Sequence, residues 1–288
     1  MPALSVCLPT WNGAATLERT LRQVLSQEGV DLEVILCDDA SRDDTLARAR
    51  AFRDRRVSIH PFPERAGIVG NWNRALGLAR GRYVTILGQD DQVDPGWARA
   101  LTELLESEPQ AALAFCRRRF VYDDQESRMV VGDFFSRIYP KMLEAFYGRI
   151  GPVIPPEVMF REAMEHHFRI NLIGEPSFVA FRRDHPAVRE GFDPAMTQMM
   201  DWEFFTRFFA DRPILHCPRV LGTYHIRGKG ASVDNARNLA RHHREYDHLL
   251  GLVLERFESF LDGESRALLE AKRREAREEA ARLARPGS

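Results

Sequence analysis

The sequence predicts an α/β fold in which a mostly parallel sheet carries helices on both faces, followed by a less regular half and C-terminal helices. Three observations lead there. Short apolar runs alternate with amphipathic stretches as far as residue 116. The runs are apolar throughout rather than at every second residue, as in strands buried on both faces. Polar, acid-bearing turns close several of them, where a parallel sheet opens its crevice.

The first element, residues 4–8, is a buried strand, and residues 14–27 form a helix because Leu17, Leu21, Val24 and Leu25 recur at helical spacing. Residues 32–37 are the second strand. Ser41 is the expected N-cap of the next helix, with Asp43 and Asp44 at its positive end and residues 45–52 as its body. A third strand (57–60), a helix (69–79), a fourth strand (82–88), a helix (95–106) and a fifth strand (111–116) follow. Strands and helices alternating at these lengths form βαβ units.

Three loops then meet at the carboxyl ends of the strands: Pro9-Thr10-Trp11-Asn12-Gly13, Asp38-Asp39-Ala40-Ser41 and Gln89-Asp90-Asp91. Trp11 offers an aromatic face, Asn12 and Gly13 a turn, and Asp39 an acceptor for an imide N–H or a ribose hydroxyl. Asp90 and Asp91 are adjacent acids that repel each other unless a divalent cation sits between them and a ligand. Each loop alone is also an ordinary turn or helix start. Together they outline a nucleoside diphosphate lying across the strand tips.

These segments resemble the family 2 glycosyltransferases of the GT-A fold, a Rossmann-like α/β architecture. The resemblance rests on Ser5-Val6-Cys7-Leu8-Pro9-Thr10-Trp11-Asn12, on Leu25-Ser26-Gln27, on the run from Glu33 to Ser41, and on Asn73-Arg74-Ala75-Leu76 with Ala79-Arg80-Gly81-Arg82-Tyr83. It covers residues 4 to 107. It implies a donor site at Pro9, Thr10, Trp11, Asn12, Asp39, Asn73 and Asp90, with Asp91 as metal ligand and Mn²⁺ or Mg²⁺ as cofactor. The family's metal motif often reads Asp-x-Asp, and here Gln89 holds the first position. Glutamine is a poor ligand for a hard cation, so Asp91 carries the protein's share and metal affinity without nucleotide is expected to be low.

The second half is expected to form the acceptor side. Residues 120–138 suggest a hairpin or loop excursion. Residues 148–156 carry three prolines that exclude a helix, and serve as a lid or as a rigid connector. The segment from Asn171 to Ser177 feeds a strand at 178–182, then Gly191-Phe192-Asp193 precedes Met200-Asp201-Trp202-Glu203. By the same resemblance Asp201 matches the general base, with Glu175, Ser177 and Trp202 on the acceptor side. A positioned carboxylate that removes the proton of a sugar hydroxyl as it attacks is the chemistry such a transfer needs. Asp201 also reads as a cap for a helix at 202–209. A closing strand at 220–225 delivers His225, an imidazole ligand for the metal or a simple hydrogen-bonding residue. Arg227 and Lys229 in the loop after it would pair with diphosphate oxygens.

Composition narrows the class. The formal net charge of −1 gives no pull toward nucleic acid or anionic lipid. No run of apolar residues is long enough to span a membrane, and no basic region precedes an apolar signal core. The expectation is a cytoplasmic enzyme, peripheral to a membrane at most. Cys7, Cys37, Cys116 and Cys217 lack paired spacing and read as reduced core thiols. Of 41 basic residues three are lysine. Residues 264–285 are too charged for a buried helix and read as a solvated helix or a self-association arm. The expected organisation is residues 1–118 for the donor, 119–232 for the acceptor and base, and 233–288 as a helical extension.

The reading is an inverting, metal-dependent, non-processive transferase. It moves a sugar from a nucleoside diphosphate donor, uridine favoured, to a glycan, lipid-linked or small-molecule hydroxyl. A nucleotidyltransferase would need a basic glycine-rich loop near the first strand, which is missing. A non-catalytic nucleotide-sensing module would account for Asp38-Asp39 but not for the Asp201 segment.

Overall fold

Strand β1 (Leu4–Thr10) is buried along its whole length and lies between β2 (Leu32–Asp39) and β4 (Tyr83–Ile86), parallel to both. This is a computed structural model describing residues 2–122, 125, 137–226 and 237–284. Strand β3 (Val57–Phe62) runs parallel to β2 at one edge, while β8 (Val179–Arg182) runs antiparallel between β4 and β6 (Leu113–Tyr122). Strand β9 (Ile214–Ile226) is parallel to β6, and two short strands, β5 (Gln92–Val93) and β7 (Val153–Ile154), pair antiparallel with it. The order is β3-β2-β1-β4-β8-β6-β9-β5, with β7 on β9. Because β8 is reversed, its amino end lies at the same sheet edge as the carboxyl ends of β1, β2, β4, β6 and β9. Six chain segments therefore reach one crevice.

The pleat divides the sheet's side chains between two cores. Val6, Leu8, Val34, Leu36, Ala114 and Ala180 face α1 (Leu17–Leu25), α2 (Thr45–Ala51) and α4 (Trp97–Ser107). Cys7, Ile35, Ile86, Phe115, Val179 and Phe181 face α3 (Gly67–Leu78), α5 (Tyr139–Tyr147), α6 (Pro156–Glu165) and α8 (Met200–Phe209). The short α7 (Pro186–Glu190) precedes α8. Both faces are covered, as the continuous apolar runs predict. All four cysteines are free and buried.

Some expected elements are corrected. Ser41 does not cap α2. Its hydroxyl accepts the Asn12 N–H at 2.9 Å, and Asp43 accepts the Thr45 N–H at 3.0 Å instead. Residues 148–156 are a connector docked on the sheet, since Val153 and Ile154 pair with Leu215 and Ile214. Pro156 then opens α6 at its first position, where a missing N–H costs nothing. The closing strand starts at Ile214 rather than at 220. Most of the 120–138 excursion, and Arg227 and Lys229, lie outside the described residues.

The C-terminal part is a helical hairpin of α9 (Leu239–Arg256) and α10 (Gly263–Leu283), the second capped by Asp262. The charged tail is not simply solvated. Leu269, Ala276 and Ala280 are buried, and Asp247 on α9 accepts from both Arg273 and Arg277 at 2.9 Å. Seven- and eleven-residue spacing keeps those three small or apolar positions on one stripe.

Candidate active site

At the β1 end, Pro9 and Thr10 are buried and contribute backbone, whereas Trp11 is 41% exposed. The Arg65 guanidinium lies 3.5 Å from the Trp11 ring centroid, so the aromatic face is shared with a cation. Asn12 takes a left-handed φ of 47°, with its side-chain oxygen accepting the Arg42 N–H at 2.9 Å. Asp39, 2% exposed, accepts the N–H groups of Ala66 at 2.7 Å and Gly67 at 2.9 Å, and pairs with Arg74 at 3.2 Å. It thus satisfies the amino end of α3.

In the 89–91 loop Gln89 is tied to Trp11. Gln89 Oε1 accepts the Trp11 N–H at 3.0 Å while its Nε2 donates to the Trp11 carbonyl at 3.1 Å. A Cβ on Gly13 would lie 2.1 Å from Gln89 Oε1, so a glycine is required beside this clamp. On the other side Arg19 donates to the Asp90 carbonyl at 2.8 Å and Thr20 to the Gln89 carbonyl at 2.9 Å.

Asp90 and Asp91 point at a shared space. A Cβ on Gly88 would meet Asp91 Oδ2 at 2.8 Å and Asp90 Oδ1 at 3.5 Å, so the missing side chain leaves a cradle with carboxylate oxygens around it. Burial, followed by the charges of Asp90 and Glu175, pushes the Asp91 carboxyl well above the usual carboxylate range. Among the described residues no group of three or more His, Cys, Asp or Glu side chains forms a metal cage. Two carboxylates completed by phosphate oxygens and water suit Mg²⁺ or Mn²⁺.

Ser177 and His225 both contact Asp91. The Ser177 hydroxyl donates to Asp91 Oδ2 and accepts the Gly88 N–H at 2.9 Å. His225 reaches Asp91 through its backbone N–H, at 3.4 Å, while its ring Nε2 contacts the Gln92 side-chain amide.

Asp201 sits in the first turn of α8, not ahead of it, so the N-cap reading fails as stated. Glu245 from α9 caps that end, accepting the N–H groups of Gln198 at 2.7 Å and Met199 at 3.0 Å. Asp201 Oδ1 accepts the Trp202 N–H at 2.7 Å and Oδ2 accepts the Asn171 amide at 3.1 Å. Burial, with the Glu175 charge adding to it, pushes its carboxyl up to about 7, against the Trp202 and Asn171 hydrogen bonds. Glu175 thus raises both Asp91 and Asp201 and lies within electrostatic reach of each.

Trp202, expected on the acceptor side, is a core residue. It is 1% exposed, its indole donates to the Phe168 carbonyl at 2.8 Å, and its ring packs near Phe168 and Phe209. Asn73 is likewise spent on structure: its amide donates to the Phe192 carbonyl at 2.9 Å and accepts the Phe192 N–H at 2.7 Å. Sequence reasoning missed Asn171 and Arg118. Register shifts between Cys116 and Arg119 break the alternation of β6, so Arg118 reaches Tyr139 on the face opposite Cys116.

Comparison with known proteins adds to this geometry. A family model described as Glycosyl transferase family 2 matches residues 5–168. The uncharacterized protein MT1568 of Mycobacterium tuberculosis is 31% identical over 242 residues, 83% of this chain and 71% of its own length. The matches to several other curated relatives cover 21% to 57% of those proteins' own length. The structure of S. aureus TarS 1–349 with UDP-GlcNAc superposes with a TM-score of 0.66 at 15% identity, over 87% of this chain and 66% of that one. The mannosyltransferase PcManGT of Pyrobaculum calidifontis, in complex with GDP-Man and Mn²⁺, gives a TM-score of 0.59 at 20% identity, over 100% of this chain and 76% of that one. At these identities the two structures speak to fold.

Proposed function

Because the chain belongs to glycosyl transferase family 2, we propose that it moves a sugar from a nucleoside diphosphate donor to an acceptor hydroxyl with inversion at the anomeric carbon, one transfer per encounter. The observation that carries this reading is Asp201: a half-buried carboxylate held by two donors, with its carboxyl pushed up to about 7. A base with that proton affinity is well matched to take the proton of an attacking hydroxyl at physiological pH.

In this reading Trp11 and Asp39 receive the base of the donor, uridine favoured because its imide N–H suits a carboxylate. Asp90 and Asp91 would hold a divalent cation, which when bound supplies a Lewis acid to the leaving diphosphate. The complexes of TarS with UDP-GlcNAc and of PcManGT with Mn²⁺ support the donor class and the cation. Ser177 orients Asp91, and Asn171 orients Asp201. The acceptor oxygen attacks the anomeric carbon from the side opposite the diphosphate, Asp201 takes its proton, and the diphosphate departs with the electron pair of the broken bond. Among the described residues no helix is long and apolar enough to cross a membrane.

The test is a thermal-shift panel of nucleoside diphosphates with and without Mn²⁺, followed by assay of the matching sugar nucleotides for hydrolysis or transfer. Binding to the folded state raises the melting temperature by mass action. Metal-dependent turnover at the glycosidic carbon is expected; binding without turnover would favour a sensor, and cleavage at the α-phosphate a nucleotidyltransferase.

A further inference from the structure

The Arg118 side chain is fully buried in β6, beneath the loop that carries Asn171 to Glu175. Its Nε lies 2.6 Å from Glu175 Oε2, an ion pair rather than an aligned hydrogen bond. Nη1 donates to the Tyr147 hydroxyl at 2.9 Å and Nη2 to the Tyr139 hydroxyl at 3.1 Å. Tyr139 in turn donates to the Asn171 carbonyl at 2.6 Å. The Asn171 side chain accepts the N–H groups of Ile173 and Gly174 at 3.1 and 2.8 Å, and donates to Asp201 Oδ2. Gly174 has a φ of 107°, and a Cβ there would lie 2.3 Å from Arg118 Cζ, so only glycine lets this loop rest on the guanidinium.

A buried ion pair is an expensive way to hold a loop, since apolar residues of similar volume often stabilise as well or better. What an apolar residue cannot do is offset the charge of Glu175 and fix it beside two other acids. We propose that Arg118 is a positioning residue for the base: it offsets the charge and fixes the place of Glu175 and, through Tyr139, holds the Asn171 loop that orients Asp201. This rests on reading Asp201 as the base. Burial works against the charge of Arg118, and Glu175 with the two tyrosines outweighs it, so the arginine stays protonated. Asp201 is faced by the titratable groups Glu175 and Tyr139. Glu175 is faced by Arg118, Asp91, Tyr139 and Tyr147.

The experiment is an infrared titration of the carboxyl band of Asp201 in the full chain labelled with ¹³C at aspartate carboxyls, the band being identified by its loss in Asp201→Asn. Arg118→Met is expected to raise the proton affinity of Asp201 by about threefold or more, because a neighbouring negative charge loses its partner. Glu175→Gln should lower it, and Arg118→Lys should fall between Arg118→Met and the parent. The double variant Arg118→Met, Glu175→Gln carries no buried unpaired carboxylate. It is expected to fold even where Arg118→Met does not, and to titrate below the parent. An Asp201 band unmoved in folded Arg118→Met, or in Glu175→Gln, would make Arg118 structural only. The measurement needs neither donor nor acceptor, so it stays distinct from the base reading, which fails if Asp201→Asn still transfers sugar.

Discussion

The side-chain amide of Gln89 is hydrogen-bonded at both ends to the backbone of Trp11, at 3.0 and 3.1 Å. The position where a metal-binding acid is often found instead ties the proposed cation loop to the proposed base loop. Gln89→Ala removes both bonds, each worth about 0.5 to 1.5 kcal/mol net. Affinity for UDP with Mn²⁺ should fall by about tenfold by calorimetry, and Gln89→Glu, which keeps only the acceptor, should lie between. An unchanged affinity would show that the two loops hold their places independently.

Asp91→Asn should abolish the stabilisation that Mn²⁺ adds to nucleoside diphosphate binding and lower turnover by orders of magnitude. The fold should survive, because the variant relieves a buried, repelled carboxylate whose proton affinity is already raised. Near-normal activity with the same metal requirement would remove Asp91 from the cation site and leave Asp90 as its carboxylate.

For Asp201→Asn, transfer should drop by about 10² to 10⁴ with donor affinity retained. In the parent, the acidic limb of kcat should lie near pH 7, with activity rising above it, because the deprotonated carboxylate is the active form. Stability gives an independent check. The folded-state value is raised from 3.8, so between about pH 4 and pH 7 the folded protein holds more protons than the unfolded chain and loses stability as pH rises. The parent's melting temperature should therefore fall relative to that of Asp201→Asn between pH 5 and pH 8. A pH-independent difference would contradict the raised value.

Asp39→Ala should weaken donor binding by about 1 to 3 kcal/mol, the range for a hydrogen bond to a charged group. It should also lower stability by about 1 to 2 kcal/mol, because the α3 amino end loses its acceptor at Ala66 and Gly67. Lower stability with unchanged donor affinity in the folded fraction would leave Asp39 as a structural cap.

The sequence by itself determined the layout. Apolar runs such as residues 4–8 and 32–37 are local patterns, and a pattern local in sequence is enough to choose strand over helix and to put polar turns at the strand ends. That placed Asp39, Asp90 and Asp91 at one edge, and the Met200-Asp201 segment at the start of a helix. Which polar atoms remain available there was decided only by the tertiary structure, because distant residues compete for the same donors and acceptors. Ser177 reaches Asp91 across 86 residues, and Asn73 is occupied by Phe192 across 119. Trp202 turns into the core because its indole finds the Phe168 carbonyl there. Arg118 faces inward because shifts in the β6–β9 register break an alternation that sequence reasoning must assume.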